Sequence, residues 1–201
     1  AKQAAEIVDE KMSMTLGLPN AIAEQKVFGE KKILLINPDA GDMIPQRRWP
    51  MEHFRKLSEL LLQKSESHWI LVTGSPQERE HVQKLVDLVN HPRIKNFAGE
   101  VKFTELPALY SLSDILVTND SGPGHFSSVT DIKTYVLFGP ETPDLYAPIG
   151  NTESISLRLA CSPCVSAYNH RDTRCQNNVC MKEMQPEYVA SIIFKYLDAK
   201  S

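Results

Sequence analysis

Long hydrophobic runs are missing from this sequence. No stretch approaches the roughly 18 uncharged apolar residues of a membrane-spanning helix. The opening residues AKQAAEIVDEK also lack the apolar centre of a secretory signal, so the chain is expected in the cytoplasm. Charge of one sign is lacking too: 22 Lys plus Arg stand against 25 Asp plus Glu, a net charge of −3. That leaves no general basic surface of the kind that attracts nucleic acid. Cysteine is scarce, four residues in 201, which argues against a disulfide scaffold in a reducing compartment. The signatures G-x-G-x-x-G, G-x-x-x-x-G-K-[ST] and G-x-S-x-G are absent, which weighs against dehydrogenase, NTPase and hydrolase chemistry.

What is present is the balance of an ordinary globular protein, 42% hydrophobic and 23% charged. Residues 1–16 read as a helix stopped by Gly17-Leu18-Pro19-Asn20. Ile33-Leu34-Leu35-Ile36, bounded by lysines and Asn37-Pro38, reads as a strand buried on both faces. Phe54, Leu57 and Leu61 recur at helical spacing through residues 51–64, with Pro50 at a tolerated first turn. The pattern repeats: a strand at 69–73, a helix carrying Val82, Leu85, Val86 and Val89, and a weaker strand at 94–97. A helix capped by Thr104 follows, then a strand at 114–118, a helix from near Gly122 and a strand at 134–138. A last helix runs from Pro186 to about Leu197. This alternation predicts an α/β fold, a doubly wound and mostly parallel sheet with helices on both faces. There is no internal repeat and no low-complexity linker.

In such sheets ligands bind beyond the carboxyl ends of the strands, so the loops at 37–49, 74–80, 98–103 and 119–125 should converge on one crevice. The septet Asn119-Asp120-Ser121-Gly122-Pro123-Gly124-His125 combines a capping acid or hydroxyl, glycines that admit a ligand close to backbone, and free amides at a helix start. Together these can hold an anion such as phosphate. Singly, Asp120 or Ser121 can serve only as a cap and His125 only as packing. Arg47 and Arg48 add two guanidinium groups suited to bidentate phosphate contact, although an Arg pair is commonly a solvated surface. Glu78 opens a helix after a strand, where an acid can accept ribose hydroxyls or simply complement the helix dipole.

Ile36-Asn37-Pro38, Arg47-Arg48-Trp49-Pro50, Val72 through Glu78, Asn119 through His125 and Leu137-Phe138-Gly139-Pro140 resemble, in order and spacing, the bacterial lipopolysaccharide heptosyltransferases of glycosyltransferase family nine. The match runs from about Lys32 to Leu197, and D-S-G-P-x-H with the later F-G-P is its most specific part. The resemblance implies the Rossmann-like C-terminal lobe of a two-lobed GT-B glycosyltransferase. Residues 1–30 would be the tail of an absent N-terminal lobe plus linker, and residues 31–201 the nucleotide-sugar-binding domain.

By the same resemblance Arg47, Asp120, Ser121, Gly122 and His125 would contact the donor diphosphate and sugar, Glu78 the ribose, and residues 99–103 the base. No catalytic residue is expected here, because the general base and the lipopolysaccharide-core acceptor site would lie in the other lobe, so this stretch alone should bind donor without transferring sugar. The implied donor is ADP-heptose, the implied location the cytoplasmic face of the inner membrane, and no cofactor is required. Asp39 departs from the family by putting a carboxylate where glycine is common, which could repel a diphosphate.

Cys161-Ser162-Pro163-Cys164, then Cys175 and Cys180, could supply four thiolates to zinc within a loop at 161–180, although the second pair is wider than the usual knuckle. Reduced thiols ordering a surface loop are the equal alternative. A zinc-stapled interaction module and a nucleotide-sensing domain thus stand beside sugar transfer.

Overall fold

The apolar runs become strands with both faces covered. A computed structural model describes residues 2–18, 20 and 31–199. Its six strands are β1 (Lys32–Asn37), β2 (His68–Val72), β3 (Ile94–Asn96), β4 (Ile115–Asn119), β5 (Lys133–Leu137) and β6 (Thr152–Ile155). They form one sheet in the order β3-β2-β1-β4-β5-β6, and every neighbouring pair is parallel. Parallel neighbours require crossovers, and among the described residues eight helices are present. They are α1 (Lys2–Leu16), α2 (Met51–Lys64), α3 (Arg79–Val89), α4 (Leu106–Ser111), α5 (Gly122–Phe126), α6 (Pro143–Tyr146), α7 (Val179–Lys182) and α8 (Pro186–Ala199).

The two-residue period of a strand divides the core. Leu34 and Ile36 point into a layer filled by Phe54 and Leu61 of α2, Leu85 of α3 and Val189 and Ile193 of α8. Ile33 and Leu35 point the other way, where α1 supplies Val8, Met12 and Leu16 and α4 supplies Leu109. So α1 packs on this domain's own sheet, and α8, which could have left the domain, covers the sheet beside α2. The expected linker falls partly at residues 19 and 21–30, outside the described set.

Three local expectations differ. Thr104 is no cap: it lies inside a 3-10 turn, Phe103–Glu105, and the Glu105 carboxylate accepts from the Lys102 N–H at 2.9 Å. The sequence reading lacks β6 because Thr-Glu-Ser-Ile offers a single buried residue at a sheet edge. The one-turn helices α6 and α7 are too short to show a period.

The chain order reverses between β1 and β4. Connections from these two central strands leave to opposite sides, and a crevice opens between their carboxyl ends.

Candidate functional site

The walls of the crevice are set by side chains bonding to loop backbone. Asn119, fully buried at the end of β4, accepts from the Trp49 N–H at 3.0 Å and donates to the Pro38 carbonyl at 2.9 Å. The loop after β1 is thereby fastened to β4. Its far end is held by Trp49, whose indole N–H donates to the Met184 carbonyl at 2.8 Å and whose ring meets Phe54 edge-on at 4.9 Å. Asn37 donates to the Thr73 carbonyl at 3.2 Å and ties in β2. Buried amide groups with all these partners met form a stiff frame.

Within it lies a cleft of about 620 Å³ whose lining includes Arg47, Glu78, Asp120, Ser121, Gly122 and His125. The structure therefore brings together all six residues singled out in the sequence. Other lining residues that sequence reasoning missed include Phe126, Glu141, Tyr146 and Arg171. Glu141 directly follows F-G-P, and an acid at a strand mouth could have been noticed. Arg171 arrives from the 161–180 loop, and no local pattern announces it.

The two adjacent arginines part company. Arg47, at the end of the 3-10 turn Pro45–Arg47, has Nη1 at 3.2 Å from Glu141 Oε2 and 3.8 Å from Asp120 Oδ2. Its buried Nε has no protein partner. Arg48 turns back on the loop, donating to Asp39 at 3.1 Å, to Asp42 at 2.7 Å and to the Gly41 carbonyl at 2.9 Å. Asp39 lines the cleft, yet its charge is spoken for. Burial disfavours its ionised form, but the Ala40 and Gly41 amides and Arg48 outweigh burial and hold the carboxyl below its usual range.

Glu78 also has a local role: one oxygen accepts from the Ser75 N–H at 2.6 Å and closes the turn that starts α3, and the other oxygen has no such bond. Ser121 occupies the N-cap position of α5 without a capping bond, and its hydroxyl lies 3.2 Å from both Thr118 Oγ1 and the Asn119 carbonyl. The expected helix after Gly122 is five residues long, so its dipole is small; Pro123 has no N–H and the Gly124 amide donates to the Ser121 carbonyl at 3.2 Å, which leaves the Gly122 amide as what the first turn can offer a ligand. Gly122 keeps room for an aromatic, since a Cβ there would sit 3.1 Å from the Phe126 ring. Phe126 in turn meets Phe103 edge-on at 4.7 Å, and both rings are exposed at the cleft.

Asp120 and Glu141 are both nearly inaccessible, at 3% relative exposure. Burial raises Asp120 most, Glu141 alongside raises it further, and Arg47 and Arg171 only partly oppose them, so Asp120 is pushed up to about 7. Arg171 Nε stands 3.6 Å from Glu141 Oε1 with its guanidinium 5.4 Å from the Tyr146 ring centre.

The cysteines do not assemble as a metal centre. All four are free thiols, and no group of three or more His, Cys, Asp or Glu among the described residues could hold a metal ion. Cys180, buried under the sheet edge, is pushed up to about 11 by burial, with Cys164 adding to the effect. Its segment explains the glycine of F-G-P instead: a Cβ on Gly139 would run into Met181 and lie 3.0 Å from Cys180 Sγ. The loop also steadies the site, because Asn178 donates to the Gln46 and Arg48 carbonyls at 2.9 and 3.2 Å, on either side of Arg47.

Comparison with known proteins follows the same lines. The profile of glycosyltransferase family 9 (heptosyltransferase) matches residues 2–173. Lipooligosaccharide heptosyltransferase 2 of Campylobacter jejuni is 32% identical over 170 residues, which is 82% of this chain and 51% of that protein. The structure of E. coli ADP-heptose lps heptosyltransferase II superposes with a TM-score of 0.69 at 19% identity, over 96% of this chain and 53% of that one. The E. coli heptosyltransferase WaaC solved with ADP gives 0.63 at 17% identity, over 89% and 46%. The chain thus spans about half the length of the relatives it matches.

Proposed function

The chain belongs to glycosyltransferase family 9, the heptosyltransferases, and from that premise we propose that it is the donor-binding lobe of a GT-B enzyme that transfers heptose from ADP-heptose to a lipopolysaccharide core. The single observation that carries this reading is the gathering of Arg47, Glu78, Asp120, Ser121, Gly122 and His125 around one cleft at the switch point. Relatives solved with ADP or named for ADP-heptose support the choice of donor.

In this reading the diphosphate lies along Arg47 and the Gly122 amide at the start of α5, beside Ser121 and His125. The ribose reaches Glu78 through the oxygen that Ser75 does not use. The base lies toward Val101, Phe103 and Phe126, an apolar end that every nucleobase can stack against. When the bond from the anomeric carbon to the diphosphate breaks, negative charge builds on the departing phosphate, and a fixed guanidinium with oriented amides stabilises it without reorganising. The acceptor and the general base are assigned to the part of the relatives that this chain does not span. No helix of the described residues is long and apolar enough to cross a membrane, and the reading places the whole enzyme at the cytoplasmic face of the inner membrane.

The test is calorimetric titration of the chain with ADP, UDP, GDP and ADP-heptose, alongside Arg47→Ala. ADP and ADP-heptose should bind and the variant should weaken both about 10- to 100-fold, the worth of a hydrogen bond to a charged partner. Failure of all four ligands to bind would overturn the donor-lobe reading.

A further inference from the structure

Arg47 needs one carboxylate to balance it, and it has two. Glu141 and Asp120 side chains are 2% and 4% exposed, and both reach Arg47 Nη1. Two buried carboxylate oxygens, Asp120 Oδ2 and Glu141 Oε1, have no hydrogen-bond donor, and Arg47 Nε beside them has no acceptor. Orphaned buried atoms of this kind are rare in folded proteins and ask for a missing participant. Resting on the donor-lobe reading, we propose that Asp120 and Glu141 share a proton beneath Arg47, and that a nucleoside diphosphate sugar enters the cleft together with that proton.

The charge count favours this. Arg47 and Arg171 contribute two positive charges and the two carboxylates two negative ones, so the fully ionised cluster is neutral and offers an incoming anion no net attraction. One proton placed between the carboxylates supplies both with a partner and leaves the cluster at plus one. A diphosphate anion raises the proton affinity of carboxylates beside it, and by linkage the proton raises the affinity for the diphosphate. Other polar groups line the same cleft. His125 stands on α5, Tyr146 lies under Arg171, and across the cleft Asp39 is neutralised by Arg48.

The sign follows from the position of Asp120, which holds its proton up to about pH 7 in the empty cleft. Bound ligand moves that point higher. Below neutrality the empty and filled sites are both protonated and affinity is level. Above it only the filled site is, so binding takes a proton from the buffer and affinity falls by up to about tenfold per pH unit.

The measurement is calorimetry of the whole chain with ADP-heptose from about pH 6 to about pH 9, in two buffers of different ionisation enthalpy. Both phosphates of this ligand are esterified and do not titrate in that range, so its own protons do not intrude. The expected result is uptake approaching one proton on the alkaline side, with the fall in affinity described. In Glu141→Gln the amide can donate to Asp120, which no longer needs the proton, and the pH dependence should flatten to within about threefold. Binding that stays level across the range with no buffer-dependent heat overturns the proposal and leaves the donor-lobe reading intact, as does an undiminished slope in Glu141→Gln. Absence of binding at every pH overturns both. Buffer-dependent heat that persists in His125→Ala assigns the proton to the carboxylate pair even if Glu141→Gln folds poorly, and heat lost in His125→Ala overturns the proposal.

Discussion

At the mouth of β1, Arg47 is left short of partners inside the cleft, whereas at the mouth of β2 Glu78 gives an oxygen to the Ser75 amide three residues before it. Both are charged side chains in loops that follow neighbouring strands of the sheet, and both were picked out for the same ligand. The difference lies in the backbone that carries them. The β1 loop is long, and its backbone is met from outside by Asn119 and Asn178, so its Arg47 closes no turn of the loop. The β2 mouth is a tight turn whose first amide has only Glu78 to receive it. A charge near a cleft is available to a ligand in proportion to how completely the surrounding backbone is satisfied by other groups.

The strongest way to break this comparison is to unfasten the β1 loop. Trp49→Ala removes a 2%-exposed ring together with its bond to Met184 and should cost about 3–5 kcal/mol in denaturant unfolding. Nucleotide affinity should fall with it, because the turn bearing Arg47 loses its anchor. A cost below about 1 kcal/mol would mean the loop is held elsewhere and the contrast between the two mouths has another cause.

Asn119→Ala is a finer cut. It leaves the Trp49 amide and the Pro38 carbonyl without their buried partner, a loss of about 1–3 kcal/mol. Because Trp49 still fills its pocket, the fold should survive while Arg47 is less well aimed, so affinity should fall with little change in the far-ultraviolet circular dichroism. Unchanged affinity would show that the β1 loop holds Arg47 without help from β4.

These contrasts also mark what the sequence disclosed. Continuous apolar runs such as Ile33-Leu34-Leu35-Ile36 and regular helical spacing in α2 and α8 were legible because both faces of the sheet are covered and each period is sustained. The cleft residues were legible where a motif sits at a strand mouth, as at Asp120 and His125. Illegible were features decided by tertiary contact. Neighbouring Arg47 and Arg48 are alike in sequence, and only the fold turns one to Glu141 and the other to Asp39 and Asp42. Arg171 reaches the cleft from a loop with no period, and β6 owes its place to pairing with β5 and not to any apolar run. The glycine of F-G-P, known from the sequence only as part of the family resemblance, answers to Met181 and Cys180 packed against it.

The smallest expected effect sharpens the comparison from the β2 side. Glu78→Gln keeps an oxygen that can accept from the Ser75 amide, so the turn that starts α3 should hold and stability should change by no more than about 0.5 kcal/mol. What the substitution removes is the charge on the oxygen left over. If that oxygen meets a ribose hydroxyl, ADP should bind about tenfold more weakly to the variant, the difference between a charged and a neutral acceptor. A 2′,3′-dideoxy analogue, which has no hydroxyl to offer, should bind the variant and the unaltered chain alike. Equal weakening of both nucleotides would trace the loss to a shifted turn, and no weakening of either would leave Glu78 as a cap alone. In the first of the three outcomes a single carboxylate divides its two oxygens between fold and ligand, much as Arg47 divides its nitrogens, with Nη1 toward Glu141 and Asp120 and Nε without a protein partner.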